Sequence, residues 1–503
     1  MFKNPSTWSE SVTLIAFVWM ALFASAYVFG KQEHMKMTFI LDKFNCKNRK
    51  RIEIITEIII FTFSLCILVI GGFKISMLEM GQREASLGVP IAVTIALSSV
   101  AGILAALSPE TAVFTASQRI FTGVNTFSLL AIPFFVLAGN IMNSGGIAIR
   151  LVNIAKLIAG RLPGSLAHTN VVGNMLFGSI SGSGVAACAA IGGTMNPLEV
   201  EAGYDRDYSA AVNIASAPTG LLIPPSNCLI TYSLVSGGTS VAALFMAGYL
   251  PGILWGLGVM VVAYIIAKRK KYPVVRDKIT LKIAAKVIWD ALPSLSLIVL
   301  IIGGILIGAF TATEGAAIAV VYSFILAFVF YRTIKVKDII PILIETVKMT
   351  GIIIFLIGVS SIMSWALAFT SIPTYISNFI ISLSSSKVLI FLLMNIMLLI
   401  VGTFMDLTPA VLIFTPILLP IAKTFEMTTI QFGIMIVFNL CIGNITPPVG
   451  NTLFVGCRIG KTKIENVIKH LLPFYAAIII VLMLVTFIPE ISLFIPKLCG
   501  LVK

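Results

Sequence analysis

A chain of 503 residues that is 58% hydrophobic and 11% charged falls outside the range of soluble proteins, since soluble domains contain roughly 45–50% apolar and about 25% charged residues. The composition therefore predicts a polytopic membrane protein. The net charge of +14 does not indicate a nucleic-acid partner, because the basic residues lie in loops between apolar spans, most densely at 268–286. Basic loops that flank membrane helices stay cytoplasmic.

The first 86 residues contain two apolar spans, at 11–30 and 52–73. Each has about the 20 apolar residues that a membrane helix needs. Ala24-Ser-Ala26 resembles a signal-cleavage triplet, but the apolar stretch is too long for a signal peptide, so an uncleaved helix is expected. The segment at 33–50 mixes apolar and charged residues at helical spacing, which predicts a helix lying in the membrane interface.

Beyond residue 86, uninterrupted spans alternate with apolar regions that contain breaks. Uninterrupted spans are predicted at 87–107, 121–143, 241–267, 289–310, 315–333, 350–370 and 467–492. The interrupted regions are 170–198, 206–236, 388–422 and 428–458. Segments of mixed character at 147–160 and 335–349 precede the interrupted regions of each half. This repeated order predicts two halves, at about 110–267 and 289–495, which we expect to be inverted relative to each other.

Two breaks read almost identically although they lie 223 residues apart: Gly220-Leu-Leu-Ile-Pro224-Pro225 and Gly443-Asn-Ile-Thr-Pro447-Pro448. Each follows a region rich in small or polar residues, at 178–184 and 402–409. Proline removes an N–H group and clashes with the preceding turn, so these helices must be discontinuous. Paired broken helices in matching halves indicate the binding site of a secondary transporter. The sequence thus predicts an all-α fold with two helical hairpins and two broken helices.

Oxygen atoms at such breaks suit a Na⁺ ion, because unwound carbonyls and hydroxyls coordinate cations. The candidate ligands of the first half are Ser181, Ser183, Gly220, Ile223 and Pro225. Those of the second half are Asp406, Thr408, Gly443, Thr446 and Pro448. The alternative is that the glycine and serine residues only permit tight helix packing.

Two acidic residues have distinct interpretations. Asp406 lies inside an apolar segment, where a carboxylate is costly and indicates function; the structural alternative is that it caps the broken helix. Glu314 follows Thr311 and Thr313, and this spacing predicts the start of a helix with a capping box.

Enzymatic and metal-binding patterns are missing from the sequence. The three histidines are scattered, no CxxC spacing occurs among the seven cysteines, and no Walker A or nucleophile-elbow pattern can be placed. We therefore expect neither an enzyme nor a transition-metal site, and no cofactor apart from Na⁺ as a coupling ion. Uphill transport would then be driven by an ion gradient.

Residues 130–139, 178–183, 203–204, 218–226 and 311–314 form a series of motifs in a characteristic order. The series resembles the large membrane subunit of TRAP transporters, the tripartite ATP-independent periplasmic uptake systems. The resemblance extends from about residue 88 to the C terminus. Residues 4–10, 19 and 33–35 resemble the small membrane subunit, so the chain is similar to a fused permease. Residues 1–86 would be the small-subunit-like scaffold part, and residues 87–503 the large-subunit-like transport region.

The resemblance implies a multi-pass protein of the bacterial cytoplasmic membrane with an elevator-type mechanism. It also implies Na⁺ coupling at the two residue sets named above, and delivery of substrate by a periplasmic binding protein. The substrate would lie near Ser183, Ser226 and Asn227. Members of this family import organic acid anions, of the C4-dicarboxylate or sialic acid type.

Two spans precede residue 88, whereas the small subunit of the family usually has four helices. One alternative is therefore an inactive, shortened permease that acts only as a membrane scaffold. Another is a stand-alone Na⁺/dicarboxylate or citrate symporter. A channel is the alternative from a different functional class, and it predicts no concentrative uptake.

Overall fold

The computed structural model describes residues 99–100, 103–104, 107–160, 162–273, 280–371, 375, 386–447 and 450–502. The elements predicted at 11–30, 33–50 and 52–73, most of the span predicted at 87–107, and Pro448 lie outside these residues. Within the described part of the chain the regular secondary structure is helical throughout and includes no strand. The prediction of an all-α polytopic membrane protein is confirmed.

The helices up to the basic loop are short apart from the last. They are α1 Pro109–Val124, α2 Ala131–Ser144, α3 Ile147–Ala159, α4 Ser165–Ser181, α5 Gly184–Glu201, α6 Arg206–Ser216, α7 Thr219–Leu222, α8 Asn227–Val235 and α9 Val241–Lys270. A 3₁₀ turn, Phe127–Leu130, precedes α2.

The helices after the basic loop are longer on average. They are α10 Leu281–Leu306, α11 Ala312–Ile325, α12 Val336–Phe369, α13 Lys387–Phe404, α14 Leu407–Thr424, α15 Thr429–Gly443, α16 Asn451–Gly460, α17 Ile464–Phe487 and α18 Pro489–Leu498. A π-helical turn, Leu326–Phe330, extends α11.

All four interrupted regions are broken as the proline and glycine residues predict. The region at 170–198 is divided between α4 and α5, and the region at 206–236 is divided among α6, α7 and α8. The other two are divided between α13 and α14 and between α15 and α16. Helix α11 begins with the expected capping box, since the Thr311 hydroxyl accepts from the Glu314 N–H and the Glu314 carboxylate accepts from the Thr311 N–H.

Three predicted spans are wrong in their bounds. The span at 121–143 is not one helix, because α1 ends at Val124 and α2 begins at Ala131. The segment at 335–349 is not separate from the span at 350–370, since both belong to the 34-residue helix α12. Its proline, Pro341, lies inside the helix and removes one backbone hydrogen bond there, but it does not end the helix. The span at 467–492 ends at Phe487, and Pro489 starts a new helix.

Seven helices of the described residues are long and apolar enough to cross a membrane, or up to eight if the bent pair formed by α1 and α2 counts as one span. They are α9, α10, α11 with its π turn, α12, α13, α14 and α17. Helices α4 to α8 and α15 are shorter or more polar than this. They contain many small and polar residues that are fully buried within the protein.

The chain divides into two compact units. One comprises Met1–Asn125 and Ile344–Ala366, and its described part packs α1 against the middle of α12 through an apolar cluster that includes Ala112 and Ile362. The other comprises Thr126–Leu343 and Leu367–Lys503. Its core contains Trp255, whose ring lies 4.6 Å from that of Phe438 and whose indole N–H donates to the Ala215 carbonyl at 2.8 Å.

Candidate functional site

The connector between α4 and α5 forms the tip of the first hairpin. Helix α4 ends at Ser181, and Gly182 adopts the left-handed conformation with φ of +61°. Glycine takes this conformation without strain. Ser183 then caps α5, because its hydroxyl oxygen accepts from the Ala186 N–H at 3.3 Å. The Ser181 hydroxyl donates to the Ser183 carbonyl at 3.4 Å. One helix C terminus and one helix N terminus therefore meet at this tip.

The neighbouring broken helix has the same arrangement of ends. Helix α7 ends at Leu222 and is followed by Ile223, whose N–H donates to the Thr219 carbonyl, and α8 starts after Ser226. The Ser226 hydroxyl donates to the Leu221 carbonyl at 2.5 Å and accepts from the Leu229 N–H at 3.4 Å. Ile223 and Ser226, which lie between the two helices, have extended backbone, and the carbonyls at the end of α7 are therefore free of helical partners.

Two glycines bring the hairpin and the broken helix into backbone contact. A methyl group placed on Gly178 would lie 2.4 Å from the Cα of Gly220, and one placed on Gly220 would lie 2.2 Å from the Cα of Gly178. Near the tip, a methyl group on Gly182 would lie 3.2 Å from the Pro225 carbonyl oxygen and 3.5 Å from the Asn227 amide nitrogen. The candidate residues of the first half are thus close neighbours in the fold.

The second half repeats this glycine contact. A methyl group on Gly443 would lie 2.4 Å from the Cα of Gly402 and 2.2 Å from its carbonyl carbon. Helix α15 ends at Gly443, and the following turn places the Thr446 hydroxyl where it donates to the Ile442 carbonyl at 2.7 Å. The Tyr475 hydroxyl donates to the Ile445 carbonyl at 2.5 Å. The backbone after the break is therefore held by a side chain of α17.

Asp406 occupies the cap position of α14, but its side chain makes no capping hydrogen bond. Its Oδ1 atom instead accepts from the side-chain amide of Asn451 at 3.0 Å. The contact joins the start of α14 to the start of α16, across the break that follows α15. Thr408 lies in the first turn of α14 and is partly exposed. The carboxylate also accepts from the N–H of Leu407, the first residue of α14, so these contacts do not decide between the capping and the functional interpretation of Asp406.

An asparagine pair lies close to each glycine contact along the chain. The side-chain amide of Asn174 on α4 donates to the Asn213 Oδ1 atom on α6 at 3.0 Å. In the second half, the amide of Asn439 on α15 donates to the Asn395 Oδ1 atom on α13 at 2.7 Å. All four residues are buried. The sequence analysis did not predict these four residues or Asn451. Amide side chains within otherwise apolar segments could have indicated them.

Asn227, predicted to contact substrate, has a buried Oδ1 atom with no hydrogen-bond partner in the described part of the protein. A cavity of about 10 Å³ lies beside Pro225 and is lined by Ser179, Ile180 and Leu297 among others. It would hold about one water molecule. This cavity does not supply the volume that an organic acid requires.

The histidines are less scattered than the sequence indicates, since His470 lies beside two aspartates. The ligand atoms of Asp205, Asp207 and His470 lie within 4.8 Å of one another. Their contacts are satisfied by protein groups, because Asp205 pairs with Lys270 at 3.3 Å and Asp207 accepts from the Thr462 hydroxyl. We therefore interpret the cluster as an ion-pair network that joins the start of α6 to the end of α9 and to the N-terminal part of α17.

The ionisation of Asp205 reflects this network. Partial burial alone would raise the pKa of the carboxyl group, but the N–H groups of Tyr208 and Asp207 and the Lys270 ammonium lower it below its usual value overall. The two N–H groups belong to the first turn of α6, with Oδ1 to nitrogen distances of 2.9 Å for Asp207 and 3.3 Å for Tyr208. Asp205 is thus the N-cap of α6 and carries a negative charge.

Comparison with known proteins identifies the family of the chain. The family model described as "Tripartite ATP-independent periplasmic transporter, DctM component" matches residues 85–491, and the DctQ component model matches residues 1–118. The solved structure of the YdaH transporter of Alcanivorax borkumensis has a similar fold. Its TM-score is 0.51 at 14% identity, over 76% of this chain and 87% of that one.

Two relatives cover the large-subunit part. The chain is 54% identical over 413 residues to the uncharacterized protein YgiK of Salmonella typhimurium, covering 82% of this chain and 94% of that protein. It is 35% identical over 411 residues to the sialic acid TRAP transporter large permease protein SiaM of Vibrio cholerae, covering 82% and 95%. The expectation that the chain is not an enzyme is confirmed by these matches. The chain therefore belongs to the TRAP transporter permeases, multi-pass proteins of the bacterial inner membrane, and unites the DctQ and DctM components in one polypeptide.

Proposed function

We propose that this permease couples the inward movement of Na⁺ to the uptake of an organic acid anion of the sialic acid or C4-dicarboxylate type. TRAP permeases transport organic acids and work with periplasmic substrate-binding proteins. The Na⁺ coupling and the substrate type are specific to the proposal. We also infer an elevator-type movement, in which the two hairpins and broken helices carry both ligands across the membrane together.

The observation that carries the proposal is the repeated glycine contact, Gly178 with Gly220 and Gly402 with Gly443. Each contact brings the C-terminal end of one helix against the end of another. Helix C termini carry partial negative charge and unpaired carbonyls, whereas helix N termini carry partial positive charge. Two breaks in contact would thus provide a cation site and an anion site side by side, which is what a symporter of Na⁺ and a carboxylate needs.

The first Na⁺ site would be formed by Ser181, Ser183, Gly220, Ile223 and Pro225. The support is local geometry. The Ser181 hydroxyl donates to the Ser183 carbonyl at the end of α4, and Ile223 directly follows the last residue of α7. The carbonyls at these two C-terminal ends are hard oxygen donors of the kind that Na⁺ accepts.

The second Na⁺ site would be formed by Asp406, Thr408, Gly443, Thr446 and Pro448. Asp406 adds a formal negative charge, and its partners in the described part of the chain, the Asn451 amide and the Leu407 N–H, are both neutral. A carboxylate in this part of a membrane protein needs a cation or proton to offset the loss of hydration. A bound Na⁺ would supply that charge.

The substrate anion would bind beside Ser183, Ser226 and Asn227. Ser183 and Ser226 start α5 and α8, so two helix N termini would face the carboxylate. The Ser226 proton is engaged with the Leu221 carbonyl, which leaves the Asn227 amide group as the more available donor. The unpartnered Oδ1 atom of Asn227 would accept from a hydroxyl or amide of the substrate. This combination favours a hydroxylated or acylamino acid, and so the sialic acid type.

Uptake by purified full-length permease in proteoliposomes tests the proposal. With labelled sialic acid or succinate, a periplasmic binding protein outside and an inward Na⁺ gradient, we expect accumulation that stops when K⁺ replaces Na⁺. Accumulation without the binding protein would favour the stand-alone symporter, and flux that never exceeds equilibrium would favour a channel. Absence of any flux with every binding protein and acid would favour the inactive scaffold.

A further inference from the structure

A second acidic residue of the transport region is buried far from the tips. Glu199 lies near the end of α5, 16 positions after Ser183, which at 1.5 Å per residue places it about 24 Å along the helix from the tip. Its side chain is completely buried. The Oε1 atom accepts from the Asn170 amide on α4 at 3.1 Å, and the Oε2 atom contacts the Ser209 hydroxyl on α6. Glu199 therefore joins three helices.

No cation offsets a charge at this position within the described part of the chain. Neither a lysine, an arginine nor a histidine forms an ion pair with Glu199 there, and the described ion pairs involve other residues. An ionised carboxylate without a counter-charge loses its favourable hydration on burial and gains nothing in return. In practice, such a group binds a proton instead.

Counting hydrogen-bond protons leads to the same conclusion. The Ser209 oxygen contacts both the Glu199 Oε2 atom and the Asn196 Oδ1 atom, the latter at 3.2 Å. A hydroxyl has one proton and cannot donate to two acceptors in full. If Oε2 carries a proton, Glu199 donates to Ser209 and Ser209 donates to Asn196. Every contact in the chain of three residues then has a donor and an acceptor.

We propose that Glu199 is a proton-binding site, with the proton on Oε2 donated to Ser209 so that an uncharged hydrogen-bond chain joins α4, α5 and α6. The ligand is H⁺ and no other ion is required. The site is separate from the two tips that hold Na⁺ in the proposed function, and it does not depend on that function.

Two further titratable groups lie close enough to Glu199 to interact with it electrostatically, Tyr204 after α5 and Tyr208 on α6. Helix α5 also packs against α3, α4, α7 and α16. The other titratable residues on the packed helices form no hydrogen bond or ion pair with Glu199 in the described structure: Arg150, Lys156, His168, Arg206, Asp207, Cys457 and Arg458. A proton is therefore the charge-neutralising ligand that this environment provides.

Infrared spectroscopy of the purified full-length permease at neutral pH tests the proposal directly, because a protonated carboxylic acid and a carboxylate absorb at different infrared frequencies. The wild-type-minus-Glu199→Gln difference spectrum should contain a carboxylic-acid C=O band. The matched control is Glu201→Gln, an exposed glutamate two residues further on, whose difference spectrum should contain carboxylate bands instead. Carboxylate bands in the Glu199→Gln difference would overturn the proposal and favour an ionised Glu199 with the Asn196 amide reversed.

A second variant keeps the test valid if Glu199→Gln does not fold. Ser209→Ala removes the acceptor of the proposed Glu199 proton, so the carboxylic-acid band should persist and shift to higher frequency. The melting temperature of the wild type should also fall as pH is raised, because the folded state holds a proton that an unfolded carboxyl group has lost. An unshifted infrared spectrum in Ser209→Ala would contradict the assignment.

Discussion

The Gly178–Gly220 contact allows the sharpest test of the site, through the substitution Gly178→Ala. The added methyl group would lie 2.4 Å from the Gly220 Cα and 2.9 Å from its backbone nitrogen, whereas ordinary van der Waals contact is 3.4–4 Å. Both obstructing atoms are backbone, so no side chain can rotate away. The hairpin and the broken helix must separate by roughly 1 Å, in the range where added methyl groups destabilise by about 1–3 kcal/mol.

This separation should weaken Na⁺ binding at the first site. If the 1–3 kcal/mol is expressed as lost binding energy, the apparent Na⁺ affinity falls by about 5- to 150-fold. The assay is the rise in melting temperature of the detergent-purified permease with Na⁺ concentration, because an ion that binds the folded state raises its stability according to occupancy. Na⁺-driven uptake in proteoliposomes should show the same shift in half-saturating Na⁺.

Gly193→Ala is the matched control, since Gly193 lies on α5 and a methyl group there meets nothing within 4 Å. Alanine is also the better helix former by about 0.5–1 kcal/mol, so stability should be unchanged or higher and Na⁺ affinity unchanged. A Gly178→Ala permease with wild-type Na⁺ dependence would refute the view that this contact forms an ion site. The glycines would then serve helix packing alone.

Three further predictions concern single side chains. Asp406→Asn removes the charge proposed to face Na⁺ and should lower apparent Na⁺ affinity at least about tenfold, measured by Na⁺-dependent uptake. Asp338→Asn, a partly exposed control on α12, should not. Asp205→Ala removes the α6 cap and should lower the unfolding free energy by about 1 kcal/mol; Asp205→Asn should cost less at pH 7. Because the pKa of Asp205 is lowered in the folded state, its charge stabilises the protein above about pH 4 and that contribution is lost on further acidification. The wild-type melting temperature should therefore fall more steeply there than that of Asp205→Asn, and parallel curves would contradict this. Thr311→Ala should lower the melting temperature through loss of the capping box, with an unfolding cost of about 1 kcal/mol, and an unchanged thermal melt would refute the cap.

The helix breaks could be predicted from sequence because their causes are local. Pro224 lacks a helical N–H, Gly182 takes a left-handed conformation, and the Thr311–Glu314 capping box spans four residues. The predicted helix bounds were wrong where the sequence pattern that marks a helix end was weak. Helix α12 begins at Val336 and continues through 349 despite the mixed polarity of this segment, and the break between α1 and α2, residues 125–130, contains neither proline nor glycine.

The contacts of the site could not be predicted because they join distant segments. Asn451 reaches Asp406 across 45 residues, Asn170 reaches Glu199 across 29, and the asparagine pairs join separate helices. A hydropathy pattern records which residues avoid water, but it does not record which buried amide meets which carboxylate. Glycine spacing indicated close approach, and the partner of each glycine became known only from the fold.

The central claim is that two equivalent breaks each hold one Na⁺ that drives uptake. The most direct measurement is the rate of substrate uptake into proteoliposomes as a function of external Na⁺, for the wild type and for Asp406→Asn. Two coupled sites predict a sigmoidal dependence with a Hill coefficient above about one for the wild type, and a weaker, less sigmoidal dependence for the variant. Uptake that is independent of Na⁺, or a curve that Asp406→Asn leaves unchanged, would contradict the account.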